Sequence, residues 1–237
     1  MGNFPEQLES TVEQNIATKL KFITRKLELA FGCPVREGTR DPLDVLICTI
    51  LSQSTNDRNR DRAYDSLRRQ FSTWEKVMQA SVTEISAAIR VAGLFNQKGK
   101  RIKEILQWIQ TDFGDLDISK ICHWPPQQVV DTFCKLPGIG IKTISVVLLF
   151  ACGHDVFPVD THIHRISKRV GLIQSNTLAE KAHRILGKVV PKGKAYSLHL
   201  NLLRLGRTIC LARKPLCVEC PIIQVCNFGQ ENIKFKD

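Results

Sequence analysis

Apolar residues in this chain recur mostly every three or four positions, the spacing of one face of an α-helix. Over residues 12–31 the stripe runs through Ile16, Leu20, Ile23, Leu27 and Ala30. Asp41 followed by Pro42 reads as a helix N-cap and a first-turn proline, opening a buried helix through Leu43, Leu46, Ile47 and Ile50. The same spacing predicts helices over 60–71, 73–80, 82–91, 99–113 and 126–134, separated by short breaks of Gly, Ser or Pro. It resumes over 144–152, 160–170, 178–190 and 195–210. No stretch alternates apolar and polar residues as a half-buried strand would. The expected fold class is all-α.

With 237 residues, 43% of them hydrophobic, the chain can bury a sizeable core and suits two small domains. Its net charge of +11 and pI near 9.4 point to a polyanionic partner. Nucleic acid fits better than a membrane, because the longest apolar run, 144–153, is about half the ~20 residues of a span. The charge is uneven: residues 1–134 carry +1 and residues 135–237 carry +10. Charged residues punctuate the first thirty positions, so no signal peptide and a cytoplasmic, nucleoid-associated location are expected. Nine cysteines, an odd number, then argue for a reducing compartment and against a disulfide framework. Cys33, Cys48, Cys122, Cys134 and Cys152 are scattered along helical segments and read as free thiols.

The other four cysteines form Cys-x6-Cys-x2-Cys-x5-Cys through Cys210, Cys217, Cys220 and Cys226. Thiolates this close repel unless a metal centre neutralises them. The six-residue gap suits zinc knuckles poorly, and the run differs from that of two-cluster ferredoxins. One [4Fe-4S] cluster on all four thiolates is the better choice. It would add a net −2 and leave the holo-protein near +9, counted from +11.

Residues 136–143 read Leu-Pro-Gly-Ile-Gly-Ile-Lys-Thr between two helical segments. Pro137 ends one helix, and Gly138 and Gly140 allow a tight turn with uncovered N–H groups, a seat for a phosphate. This is a helix-hairpin-helix, which grips a nucleic-acid backbone without reading its sequence. Lys142 falls in the first turn of the second helix, where the helix dipole and partial burial favour a neutral amine. Such an amine can attack a sugar C1′ as a nucleophile, or simply contact phosphate. Eighteen residues on, Asp160 opens Asp-Thr-His and fits both a helix N-cap and a rigidly aimed carboxylate.

The hairpin, then Val-Asp-Thr-His, then the cysteine run resemble, in this order, the endonuclease III branch of the helix-hairpin-helix/Gly-Pro-Asp DNA glycosylase superfamily. The resemblance covers nearly the whole chain. It implies a six-helix domain over 35–154, and an iron–sulfur domain built from 1–34 and 155–237, flanking a DNA groove. It implies Lys142 as the nucleophile, Asp160 as the catalytic aspartate and double-stranded DNA with a damaged base or abasic site as the partner of a monomer. The implied reaction excises oxidised pyrimidines and then cleaves the abasic strand by β-elimination. DNA contacts are implied at Leu136, Gly138, Gly140 and Thr143 of the hairpin, at His162 and Arg165, and at Arg213 and Lys214 in the first cysteine loop. Residues 51–57 match the loop that fills the hole left by a flipped base, and 91–96 the loop whose leucine, Leu94, wedges the other strand. Here the sequence departs from the family, with Ser54 at the plugging position and Gln53 one place earlier. Leu94 as core and Gln53 as a helix-end polar residue are the plainer alternatives. Rival functions are mismatch glycosylases of the same superfamily, a non-catalytic helix-hairpin-helix DNA-binding protein, and a redox-responsive regulator. A lysine at 142 disfavours the adenine-mismatch and monofunctional branches.

Overall fold

The computed structural model describes residues 4–234, with side chains from 13 to 233. Their regular structure is all helical, with no strand among the described residues, and the chain divides into two compact units. One is the continuous stretch Gly38–His154; the other joins the chain up to Glu37 with the chain from Asp155 onward.

The continuous unit holds α2 (Pro42–Leu51), α3 (Asp57–Gln70), α4 (Trp74–Gln79), α5 (Val82–Ala88), α6 (Phe95–Phe113), α7 (Pro126–Phe133) and α8 (Ile141–Val147), numbered after the first helix of the other unit. Starts follow cap chemistry. Asp41, Asn56, Thr73 and Ser81 each accept the backbone N–H three residues on, and Glu84 returns the bond to Ser81. Leu46, Ile47 and Ile50 of α2 and Ile102, Leu106 and Ile109 of α6 are fully buried, each worth about 1.5–3 kcal/mol. Gly99, in the middle of α6, permits close packing on α5: a Cβ there would lie 2.5 Å from Ser86 Oγ. α6 begins four residues before the periodicity suggests, because Leu94 turns left-handed and its carbonyl accepts the Lys98 N–H. A π turn over Leu148–Cys152 continues α8.

That π turn lies against the 3₁₀ turn Ser119–His123, and there the free-thiol reading fails for two of the five scattered cysteines, while Cys33, Cys48 and Cys134 form no disulfide. Cys122 and Cys152 are disulfide-bonded, their Cα atoms 4.7 Å apart, inside the range such a link spans. Thirty residues separate them, so only the tertiary meeting of the two turns brings them together. His154 Nε2 lies 3.0 Å from the Cys122 carbonyl beside the link.

The second unit holds α1 (Phe4–Phe31), α9 (Thr161–Val170), α10 (Ala179–Val189), α11 (Ala195–Thr208) and α12 (Asn227–Lys234). The stripe Leu20, Ile23 and Leu27 of α1 is buried as its spacing predicts, against α10 and α11. Glu28 fastens the pair, accepting from Lys194 Nζ at 3.0 Å and Ser197 Oγ at 2.8 Å. No described helix is long and apolar enough to cross a membrane.

Candidate functional site

In the continuous unit, α7 and α8 flank the hairpin. Its turn is closed by Leu136 N–H on the Phe133 carbonyl at 3.0 Å and Ile139 N–H on the Leu136 carbonyl at 3.1 Å. Ile139 is buried and anchors the turn, while Gly138 and Gly140 are exposed. Gly138 has φ +81°, a conformation that favours glycine, and a Cβ there would push the Arg101 guanidinium aside. Leu136 and Lys142 are half-buried, with Lys142 in the first turn of α8. Thr143 is 4% exposed. Its side chain belongs to the core: one residue past Lys142, the helix has already rotated inward.

The loop after α2 carries Gln53 and Ser54. Arg101 Nη1 donates to Gln53 Oε1 at 2.7 Å, and Gln53 Nε2 reaches the Gly138 carbonyl at 3.4 Å. Gln53 is thereby tied to the hairpin, and Ser54 is the exposed tip. Leu94 is 56% exposed, so the core alternative is excluded. Among the described residues, Ser54, Leu94 and Lys214 are the non-glycine residues with left-handed backbone, φ +54°, +47° and +50°. Each such residue costs of order 1–3 kcal/mol, and strain of this kind collects at functional sites.

In the second unit, Asp160 caps α9, its Oδ1 accepting the Ile163 N–H at 2.8 Å. The N-cap and aimed-carboxylate readings are compatible, since the bond occupies one oxygen and fixes the direction of the other. Arg165 is spent on structure: it donates to the Gly206 carbonyl at 2.9 Å and the Cys210 carbonyl at 2.9 Å, and lies 3.1 Å from His162 Nδ1. Through those bonds α9 ties to the end of α11 and the start of the cysteine loop. His162 is half-buried beside it.

One turn later, Arg169 donates to the Leu211 carbonyl at 2.6 Å and the Ala212 carbonyl at 3.0 Å, and stacks on Phe228. Arg213 and Lys214 follow, both exposed. Each sulfur of the run meets one donor. Arg169 Nη1 reaches Cys210 at 3.3 Å, Asn232 Nδ2 reaches Cys217 at 3.6 Å, Gly229 N–H reaches Cys226 at 3.3 Å, and the Ile222 amide serves Cys220. Burial, together with the other three cysteines, pushes Cys220 up to about 11 and raises Cys226 as well. Among the described residues no group of three or more Cys, His, Asp or Glu is gathered as a single metal ion requires. The four thiols influence one another electrostatically and each meets a donor, a donor set whose chemistry suits an iron–sulfur cluster.

Sequence reasoning missed Lys98, Arg101, Arg169 and Asn232. Only Lys98 left a signal. It occupies the apolar register of α6 with Ile102, Ile105 and Ile109, where a lysine is out of place.

Comparison with known proteins extends the geometry. Residues 47–192 match the family model described as HhH-GPD superfamily base excision DNA repair protein. Endonuclease III of Thermotoga maritima is 32% identical over 201 residues, covering 85% of this chain and 90% of the relative. Endonuclease III of Sulfolobus acidocaldarius is 34% identical over 83% of this chain and 86% of its own length. Among solved structures, that of a non-covalent endonuclease III–DNA complex superposes with a TM-score of 0.79 at 25% identity, covering 92% of this chain and 98% of the other. Helical fold, hairpin and homology together define a DNA glycosylase of base excision repair. The chain belongs to the HhH-GPD superfamily, with endonuclease III enzymes among its relatives.

Proposed function

We propose that the chain is a bifunctional glycosylase and abasic-site lyase that removes oxidised pyrimidines from double-stranded DNA, working as a monomer inside the cell. The observation that carries this reading is Lys142, half-buried in the first turn after the hairpin. A damaged base leaves the stack more cheaply than an intact one, at a few kcal/mol. The Lys142 amine, unprotonated, adds to C1′ as the base departs and holds the sugar as an imine. Asp160, kept rigid by its cap bond, stabilises the positive charge that develops on the sugar and assists the proton transfers. Loss of the 2′ proton then expels the 3′ phosphate.

The exposed tips at Ser54 and Leu94 support entry of two loops into the duplex: Leu94 as the apolar wedge, Ser54 near the vacated position, and Gln53 behind it. Leu136, Gly138 and Gly140, together with His162, Arg213 and Lys214, are proposed to face the DNA backbone. Cys210, Cys217, Cys220 and Cys226 would hold one [4Fe-4S] cluster, which supplies a four-point tie for the Arg213–Lys214 loop.

The test is borohydride trapping on duplexes carrying thymine glycol, dihydrouracil, uracil, a G·T mismatch or an abasic site. Wild type should form covalent complexes with oxidised pyrimidines and abasic DNA, and Lys142→Gln should form none. Full trapping by Lys142→Gln would overturn the nucleophile, and base release without strand cleavage would overturn the lyase step.

A further inference from the structure

Lys98 is the one Lys, Arg, Asp or Glu among the described residues that is fully buried, at 2% exposure. Its ammonium donates to two main-chain carbonyls, Leu51 at 2.8 Å and Ala92 at 2.9 Å. Both belong to residues ending a helical segment, where carbonyls lack a partner within the helix. Two residues beyond Ala92 stands the exposed Leu94, and three beyond Leu51 the exposed Ser54, both with left-handed backbone. One side chain thus joins the roots of the two loops.

Filling space does not explain a lysine here. Methionine is of similar length and would carry no charge into the core, where desolvation disfavours the ammonium and the nearby Arg101 adds repulsion. What methionine lacks is a pair of donors for two carbonyls that would otherwise be buried without partners. Arg101, one turn along α6, repeats the device by holding Gln53, whose amide in turn reaches the hairpin at the Gly138 carbonyl. α6 therefore carries, on one face, the ties of all three segments named as DNA-facing in the continuous unit.

We propose that Lys98 is a positioning residue for base extrusion, setting the spacing between the Ser54 and Leu94 tips by pinning the carbonyls at their roots. The proposal rests on the reading of those tips as the loops that enter the duplex. Two tips that must sit on either side of one opened base pair need a fixed separation, whereas phosphate contacts elsewhere do not. Loss of the brace should therefore affect extrusion and leave general DNA binding alone.

The experiment compares Lys98→Met with Val77→Ala, a cavity variant at a fully buried position of α4, below the melting transition of both. Extrusion is read by 2-aminopurine fluorescence beside the lesion, excision by single-turnover kinetics at saturating enzyme, and general binding by affinity for undamaged duplex. Lys98→Met should lose the fluorescence rise and slow excision about tenfold to a hundredfold, the scale of an ångström-sized misplacement, with undamaged-duplex affinity unchanged. Val77→Ala should keep both signals. If Lys98→Met does not fold, Lys98→Gln makes the same comparison, since its side chain is too short to span both carbonyls. A Lys98 variant that extrudes and excises like Val77→Ala overturns the proposal while the glycosylase reading stands. A wild-type protein that extrudes no lesion overturns both.

Discussion

Removing the Cys122–Cys152 link should lower the melting temperature of the Gly38–His154 unit by a large and calculable amount. The two cysteines are 30 residues apart. In the loop-entropy description, a cross-link closing about 30 residues stabilises by about 3.6 kcal/mol at 25 °C. A unit of about 115 residues unfolds with an entropy near 0.24 kcal/mol/K, so that loss corresponds to about 15 °C. The perturbation of choice is Cys122→Ser with Cys152→Ser, which leaves the other seven cysteines in place. Scanning calorimetry gives the shift, and mass mapping after alkylation without reduction gives the bonding state of the wild type. A double variant melting within about 3 °C of wild type would refute the entropic reasoning, and full alkylation of both cysteines would refute the link itself.

Three further outcomes follow from the geometry. Gly138→Ala must adopt φ +81° and displace Arg101 from Gln53; thermal melts should show a loss of about 2 kcal/mol from strain plus one hydrogen bond. Alanine at both Arg213 and Lys214 should weaken DNA binding equally across sequences and flatten its dependence on salt, read by titrations at several ionic strengths. Burial alone would raise the pKa of Glu28, but bonds from Lys194, Ser197 and Cys33 hold it below its ordinary value. A carboxylate depressed in the folded state stabilises fully above the unfolded pKa, and that stability disappears as pH falls through the folded one. Glu28→Gln should therefore flatten the acid limb, below about pH 4.5, of a plot of stability against pH.

Much of the architecture was legible because helices in this chain begin at side-chain caps and bury stripes of regular period. Asp41, Thr73 and Asp160 announce helix starts, and Leu20, Ile23 and Leu27 announce a buried face. Lys142, Asp160 and the cysteine run stood out because their residue types are unusual at such spacing. The missed features share a different cause, since each depends on residues distant in sequence. Cys122 meets Cys152 through two turns with no helical period, and Lys98 spans carbonyls 6 and 47 residues away. Burial shows what spacing could not: the Thr143 side chain turns inward, and Leu94 looks like core until its backbone turns it out. Arg165 shows the same limit, because nothing local says that it bonds to carbonyls 41 and 45 residues later, at the end of α11 and just beyond it.

The division of the chain also sets an order of assembly. The first helix closes against elements made much later, chiefly α10 and α11, as the 166-residue separation between Glu28 and Lys194 shows. At about 5–20 residues per second of synthesis, α1 emerges roughly 8–33 s before its partner. In that interval the whole of Gly38–His154 leaves the ribosome and can fold, because it is continuous. The apolar stripe of α1 meanwhile has nothing to cover it, and the four cysteines arrive last of all. Once residues up to His154 have left the ribosome, the nascent chain should thus hold a finished hairpin unit while the apolar stripe of the N-terminal helix still awaits α10 and α11.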